Sequence, residues 1–191
     1  AYTASVIDIP EDQGGRVYIT FHKSFYDTDT LRTTEFYTIE RLDNDTWTSL
    51  HSIAAYGSEL YQTVAETLND ATEADTTYTE FRIIASMEEG NFVSLDGENG
   101  FGYSVDNIHP STPDDVMASS NDNDINISWD YTQDIDFSYH QVSQLGTPEY
   151  TIDNEQTMLL DSDYNEYYMN SIDINDNLSE NSDYVGAHDL H

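Results

Sequence analysis

Short runs of alternating apolar and polar residues, separated by turn signals, constrain this chain most. In Arg16 to Phe21, Val17, Ile19 and Phe21 fall on one face. In Tyr78 to Ala85, Phe81, Ile83 and Ala85 do the same, and in the second half Ile125, Ile127 and Trp129 alternate with Asn126 and Ser128. A period of two marks half-buried strands, whereas a helix would repeat every three to four residues. Further strands are expected at 2–9, Phe36 to Arg41, Trp47 to Ile53, Tyr61 to Leu68, Phe137 to Gln144, Thr157 to Leu160, Tyr167 to Ile174 and Tyr184 to Ala187. Turns are expected at 11–15, at Asp43-Asn44-Asp45 and at Gly146-Thr147-Pro148, and a long polar loop at 22–34. Many short strands with a turn signal every ~8–12 residues predict an all-β chain of β-sandwiches.

The stretch from Gly102 to Asp115 divides the chain. Tyr103 and Val105 alternate with Ser104 as the end of a strand. His109-Pro110 and Thr112-Pro113 then hold the backbone extended, because proline lacks an amide proton and disfavours helix at the residue before it. Two domains are expected, 1–107 and 108–191. Val105, Asp106, Asn107, Pro110 and Pro113 form the joint.

Charge separates the halves further. Residues 1–107 carry 20 acids and five cations (Arg16, Lys23, Arg32, Arg41, Arg82), and residues 108–191 carry 18 acids and neither Lys nor Arg, for a formal charge of −33. DNA, RNA and anionic membranes are poor partners, since binding them depends on Lys and Arg neutralising phosphates; neither nucleic acid nor membrane insertion is expected. No 18-residue apolar run is present to insert into a membrane. Fifteen tyrosines give ample core material, against disorder. Without cysteine, disulfides and thiolate metal sites are ruled out. The start at Ala1 fits a mature product or an excised fragment.

Several motifs resemble fibronectin type III domains. Ile125-Asn126-Ile127-Ser128-Trp129-Asp130 resembles the second strand of that family, with its core Trp. Glu166-Tyr167-Tyr168-Met169-Asn170-Ser171-Ile172-Asp173 resembles the sixth, tyrosine-bearing strand. Asp173 to Glu180 resembles the loop that follows it, with Asp176 where glycine is usual. Ile9 to Val17, Tyr78 to Ala85 and Gly102 to Asn107 look like a variant found near the C-terminus of large secreted proteins of marine bacteria. His140-Gln141-Val142-Ser143 departs from the family's Tyr-Arg-Val-Tyr, losing a core aromatic and a cation. The resemblance implies two fibronectin type III β-sandwiches in tandem, with Trp129, Tyr167, Ile127 and Phe81 in their cores.

The strongest candidate for chemistry is a calcium loop at Asp173, Asn175, Asp176 and Asn177, where side-chain and backbone oxygens crowd one tight turn. The competing reading is a plain turn with Asx geometry. Asp161 to Glu166 and Asn121-Asp122-Asn123-Asp124 are weaker candidates of the same kind, and Asp106-Asn107 could contribute to a calcium site at the joint. The six histidines (His22, His51, His109, His140, His188, His191) show no metal spacing, and neither a nucleophile elbow nor a phosphate-binding glycine loop is present. Tyr26, Tyr56, Tyr61, Tyr150 and Tyr164 offer rings for sugars, against the plainer reading of half-buried packing.

The sequence therefore predicts a non-catalytic structural or adhesive module of an extracellular or cell-surface bacterial protein, a spacer or assembly domain with calcium as its only expected cofactor. Its partners would be other domains of a larger protein or copies of itself. Two rivals are a subunit of a self-assembling filament, with the loop 22–34 and an unpaired segment 1–9 as contacts, and a polysaccharide-binding module of a secreted hydrolase.

Overall fold

A computed structural model describes residues 1–28, 34–72, 75–94, 99–121, 124–144, 147–159 and 166–186. The chain divides into two compact units, Ala1–Asn107 and Ile108–His191. The described residues contain strands and no helix.

The first unit contains β1 (Tyr2–Asp8), β2 (Arg16–His22), β3 (Phe36–Asp43), β4 (Thr46–Ala54), β5 (Leu60–Glu66), β6 (Thr79–Met87), β7 (Gly90–Val93) and β8 (Gly100–Gly102). One sheet has the order β1-β2-β5, the other β4-β3-β6-β7, with β8 also on β6. The alternation sorts the faces as expected. Val17, Ile19 and Phe21 of β2, Tyr61 and Ala65 of β5, Tyr37 and Ile39 of β3, and Phe81, Ile83 and Ala85 of β6 form one buried cluster between the sheets. Each large side chain so buried contributes about 1.5–3 kcal/mol. Asn44 and Asp45 join β3 to β4 with φ of 47° and 64°, the two left-handed residues of a tight hairpin that matches strand twist.

The second unit contains β9 (Met117–Asn121), β10 (Asp124–Ser128), β11 (Phe137–Gln144), β12 (Thr147–Thr151), β13 (Glu155–Leu159), β14 (Glu166–Asp173) and β15 (Val185–Gly186). Its sheets run β13-β10-β9 and β12-β11-β14-β15. The order matches that of the first unit: three strands formed by the first, second and fifth, against the fourth, third, sixth and seventh, to which the first unit adds β8 on its sixth strand. Ile125, Ile127, Trp129, Val142, Met158, Tyr167 and Met169 form its core. Each unit is thus an Ig-like β-sandwich with fibronectin type III strand order.

Four local expectations are corrected. Segment 1–9 is not unpaired, because β1 runs antiparallel to β2 from Tyr2↔His22 to Asp8↔Val17. Thr147 and Pro148 lie in β12 rather than in a turn, with Pro148 opposite Ser143; an edge strand tolerates a residue with no amide donor. Strand β8 stops at Gly102, and beyond it Ser104 (0% exposed) turns inward while Tyr103 is 37% exposed. Ser104 takes the inner face there because it has partners, described below. The loop after β2 is not a plain solvated loop, since Ser24 and Asp27 are buried; its residues 29–33 lie outside the described residues.

Candidate functional site

In the second unit, β14 ends in the turn singled out by sequence. The Asp173 amide donates to the Asn177 carbonyl at 3.2 Å and the Asp176 amide to the Asp173 carbonyl at 3.3 Å. Oδ1 of Asp173 accepts from the amides of Asn175 (2.8 Å) and Asn177 (2.9 Å). Asp176 sits at φ 65°, which a short polar side chain tolerates where glycine is usual. Half of the Asp173 carboxylate therefore serves an Asx-type turn. The residue is 1% exposed, and its other oxygen, Oδ2, is buried with no hydrogen-bond partner. The nearby acid is Asp136, not one of the turn's own side chains: carboxylate oxygens of Asp136 and Asp173 lie within 4.8 Å of each other. Backbone pairing brings them together, as the Ile174 amide donates to the Asp136 carbonyl at 2.9 Å. Asp176 is exposed, and Asn175 and Asn177 are half-buried.

Of the weaker calcium loops, residues 161–165 and 122–123 lie outside the described residues. Within the first unit, Asp106 makes an antiparallel bridge with Gln13, and the Asn107 amide donates to the Asp12 carbonyl at 3.0 Å. The Val105 amide and the Asn107 side chain donate to the two oxygens of Asp8, each at 2.9 Å. These bonds anchor residues 105–107 to the end of β1. Pro110 and Pro113 are buried in the second unit.

Sequence reasoning missed two buried networks in the first unit. Asp27 is 0% exposed. Its Oδ2 accepts from the hydroxyls of Tyr37 (2.8 Å) and Tyr61 (2.6 Å), and its Oδ1 from the Gly57 amide (2.8 Å). The tyrosine oxygens in turn accept from the amides of Ser24 (2.8 Å) and Tyr56 (2.7 Å). Burial, followed by the Asp27 carboxylate, pushes the Tyr61 hydroxyl up to about 12, and burial holds that of Tyr37 well above the ordinary tyrosine range. One carboxylate thus ties two loops to two strands. The signal was available: Tyr37 and Tyr61 fall in core phase, and a buried phenol needs a partner. In the second network Oδ1 of Asp70 accepts from the Gly15 amide and the Ser104 hydroxyl, each at 2.5 Å, and Ser104 also meets Thr67 Oγ1 at 2.6 Å. Gly14, at φ 70°, lies so close that a Cβ there would stand 2.5 Å from Asp70 Oδ1.

His140 occupies the core position where the family's aromatic was expected to be lost. Its ring stands edge-on to Trp129 at 5.2 Å and lies 4.5 Å from Phe137, and it bonds the Asn170 backbone. Burial pushes its pKa down to about 4. The imidazole is therefore a neutral core ring. His22 stacks on Tyr2 at 4.4 Å and His51 bonds Thr63 at 2.8 Å; His188 and His191 lie outside the described residues.

Among the candidate sugar platforms, Tyr61 is in the core, Tyr26 stacks on Phe92 at 4.6 Å, and Tyr56 stands edge-on to Tyr61 at 4.7 Å. Tyr150 is 58% exposed but nearly perpendicular to Tyr139, at 80°. Tyr164 lies outside the described residues. The first unit also has a shallow apolar cleft of about 390 Å³ beside β1, lined by Val6, Ile7, Tyr78, Phe101 and Tyr103. Its two tyrosines meet at 89°, so they present no coplanar face to a sugar ring.

No protein-family model and no curated protein matches the chain. Among solved structures, the chicken CNTN1 FN1-FN3 domains match at 12% identity and a TM-score of 0.39, covering 96% of this chain and 63% of that one. The central fibronectin-III array of RIM-binding protein matches at 9% identity and 0.39, covering 100% and 64%. The fibronectin(III)-like modules of Clostridium thermocellum CbhA match at 14% and 0.36, covering 95% and 87%. The chain thus spans just under two-thirds of the first two.

Proposed function

We propose that this chain is a non-catalytic structural or adhesive module of an extracellular or cell-surface protein, a serial pair of fibronectin type III-like sandwiches that spaces or joins other domains. The observation carrying this reading is the use made of its buried polar groups. Asp27, Asp70, Tyr37, Tyr61 and Ser104 tie loops to the frame of the first unit, and Ser179 and Ser182 tie a terminal segment to the second. Such loop fixing suits a part whose task is to hold its shape. The charge supports an extracellular, salt-bathed setting. Arg16, Lys23, Arg41 and Arg82 each pair with an acid, at 2.6–3.2 Å, and with five Lys and Arg against 38 acids the balance of the charge falls to solvent and counterions. Calcium is the ion we propose for stabilising the acidic second unit.

Electron microscopy of the full chain, in calcium and after chelation, tests the reading. Discrete two-lobed particles in both conditions are expected of a spacer. Ordered fibres that dissolve on chelation would replace it with the filament reading. Retention in gels containing marine polysaccharides would replace it with carbohydrate binding.

A further inference from the structure

We propose that the second unit binds one calcium ion between the carboxylates of Asp173 and Asp136. The inference deepens the module reading by naming the residues through which the ion would stabilise that unit. Three observations converge. First, Asp173 Oδ2 is buried without a hydrogen-bond partner, in a residue only 1% exposed. A buried polar oxygen left unpartnered is costly, and a buried carboxylate more so. The other oxygen is held by two backbone amides, so the carboxylate cannot swing away to find water without breaking the turn. Second, a carboxylate oxygen of Asp136 lies within 4.8 Å of one of Asp173. Calcium–oxygen bonds are about 2.3–2.6 Å, so two oxygens that share an ion stand at most about 5 Å apart, and this pair satisfies that bound. Third, no Lys or Arg of the unit offers an alternative countercharge. Residues 108–191 contain neither Lys nor Arg, and the buried histidine of the unit, His140, has its pKa depressed to about 4 and is neutral near pH 7.

The ligand chemistry selects the ion. Two carboxylates give up to four hard oxygens, and backbone carbonyls and waters would complete the six to eight that calcium takes. Magnesium demands near-octahedral geometry and retains its waters, and it should be bound far more weakly. Asp176 plays no part in this assignment. Asn175 and Asn177 contribute the amides that aim Asp173.

The chain has one tryptophan in each unit, Trp47 and Trp129. The full-length Trp47→Phe chain therefore reports melting of the second unit through Trp129. In millimolar calcium this transition should rise by about 10 °C over its value in EGTA, and magnesium should produce little of that rise. Asp173→Asn retains an Oδ1 acceptor for the two amides and removes the charge, so it should fold in EGTA and lose most of the calcium shift. Asp136→Asn, which leaves the turn untouched, should lose it as well and serves if Asp173→Asn does not fold. An equal calcium shift in Asp136→Asn would overturn this site while leaving a calcium-stabilised module intact. No shift in the parent chain would also overturn the site, and the module reading would still be judged separately by the microscopy above.

Discussion

Asp27 shows what a single residue does in this protein. Its two oxygens hold Tyr37, Tyr61 and Gly57 together, and through them the segments before β3 and before β5. Asp27→Ala strands two buried hydroxyls and an amide. The first unit should lose about 3–5 kcal/mol, read by denaturant unfolding followed through Trp47. His140 gives the second unit a pH dependence. Unfolded, it takes up a proton near its ordinary pKa of 6.5; folded, it stays neutral down to about 4. Between those values the unfolded chain binds more protons, so stability falls as pH falls. From pH 7 to 5 the loss should be about 2 kcal/mol. His140→Phe should remove that slope, measured by urea unfolding through Trp129 at the two pH values. These residues also mark how far the sequence could be read. The inward phase of Tyr37 and Tyr61 was legible. Their shared acid was not, because Asp27 sits in a loop with no strand phase to mark its direction and the pairing with Tyr61 spans 34 residues. Asp173 was legible as an acid on a turn, but its neighbour Asp136 was not, since 37 residues separate them in the chain and only the pairing of β11 with β14 brings them close.

Among the elements, the segment after β14 departs furthest from regular sheet. β15 contributes two residues to the ladder, pairing Val185 with Tyr167 and Gly186 with Glu166. Along the rest of β14, serine hydroxyls replace strand carbonyls. Ser182 Oγ accepts from the Met169 amide and Ser179 Oγ from the Ser171 amide, each at 2.9 Å, while their own amides donate to the Met169 and Ser171 carbonyls at 2.8 and 3.0 Å. The covered strand is buried on both faces at Met169–Asp173, which its alternation alone would not foretell. Ser179→Ala and Ser182→Ala each leave a buried amide unpaired and should cost about 1–3 kcal/mol in denaturant unfolding of the second unit. In the first unit, the end of β8 was misread because Tyr103 and Val105 look like inward residues. Gly102 explains the geometry: a Cβ there would meet Val6 Cγ1 at 2.3 Å and the Val6 carbonyl at 3.0 Å. Strand β1 crosses so closely that only glycine fits, and Ser104 beyond it meets Asp70 and Thr67. Gly102→Ala should lower the melting temperature of the first unit by at least 10 °C in calorimetry.

For the whole chain, the all-β sandwich class was the most legible property, because alternating runs and turn signals recur along both halves; strand order was less so, since β12 reads as a turn in the sequence. Partner and setting were not legible, since a sandwich hosts many functions and its surface decides among them. The surface here is acidic, with its described cations already paired. Raising salt should therefore stabilise the chain by screening repulsion, most of all in the cation-free second unit. In this structure buried polar groups should fix the loops of each unit as firmly as its strands. Hydrogen exchange of the full chain, resolved by residue, tests it most directly. The amides of Ser24, Tyr56, Gly57, Ser171 and Met169 should exchange only at the rate of global unfolding of their unit, alongside Ile19, Ile83 and Ile127. Fast exchange of these amides by local opening, with the core strands still protected, would contradict the account and make the loops mobile elements free to serve a binding site.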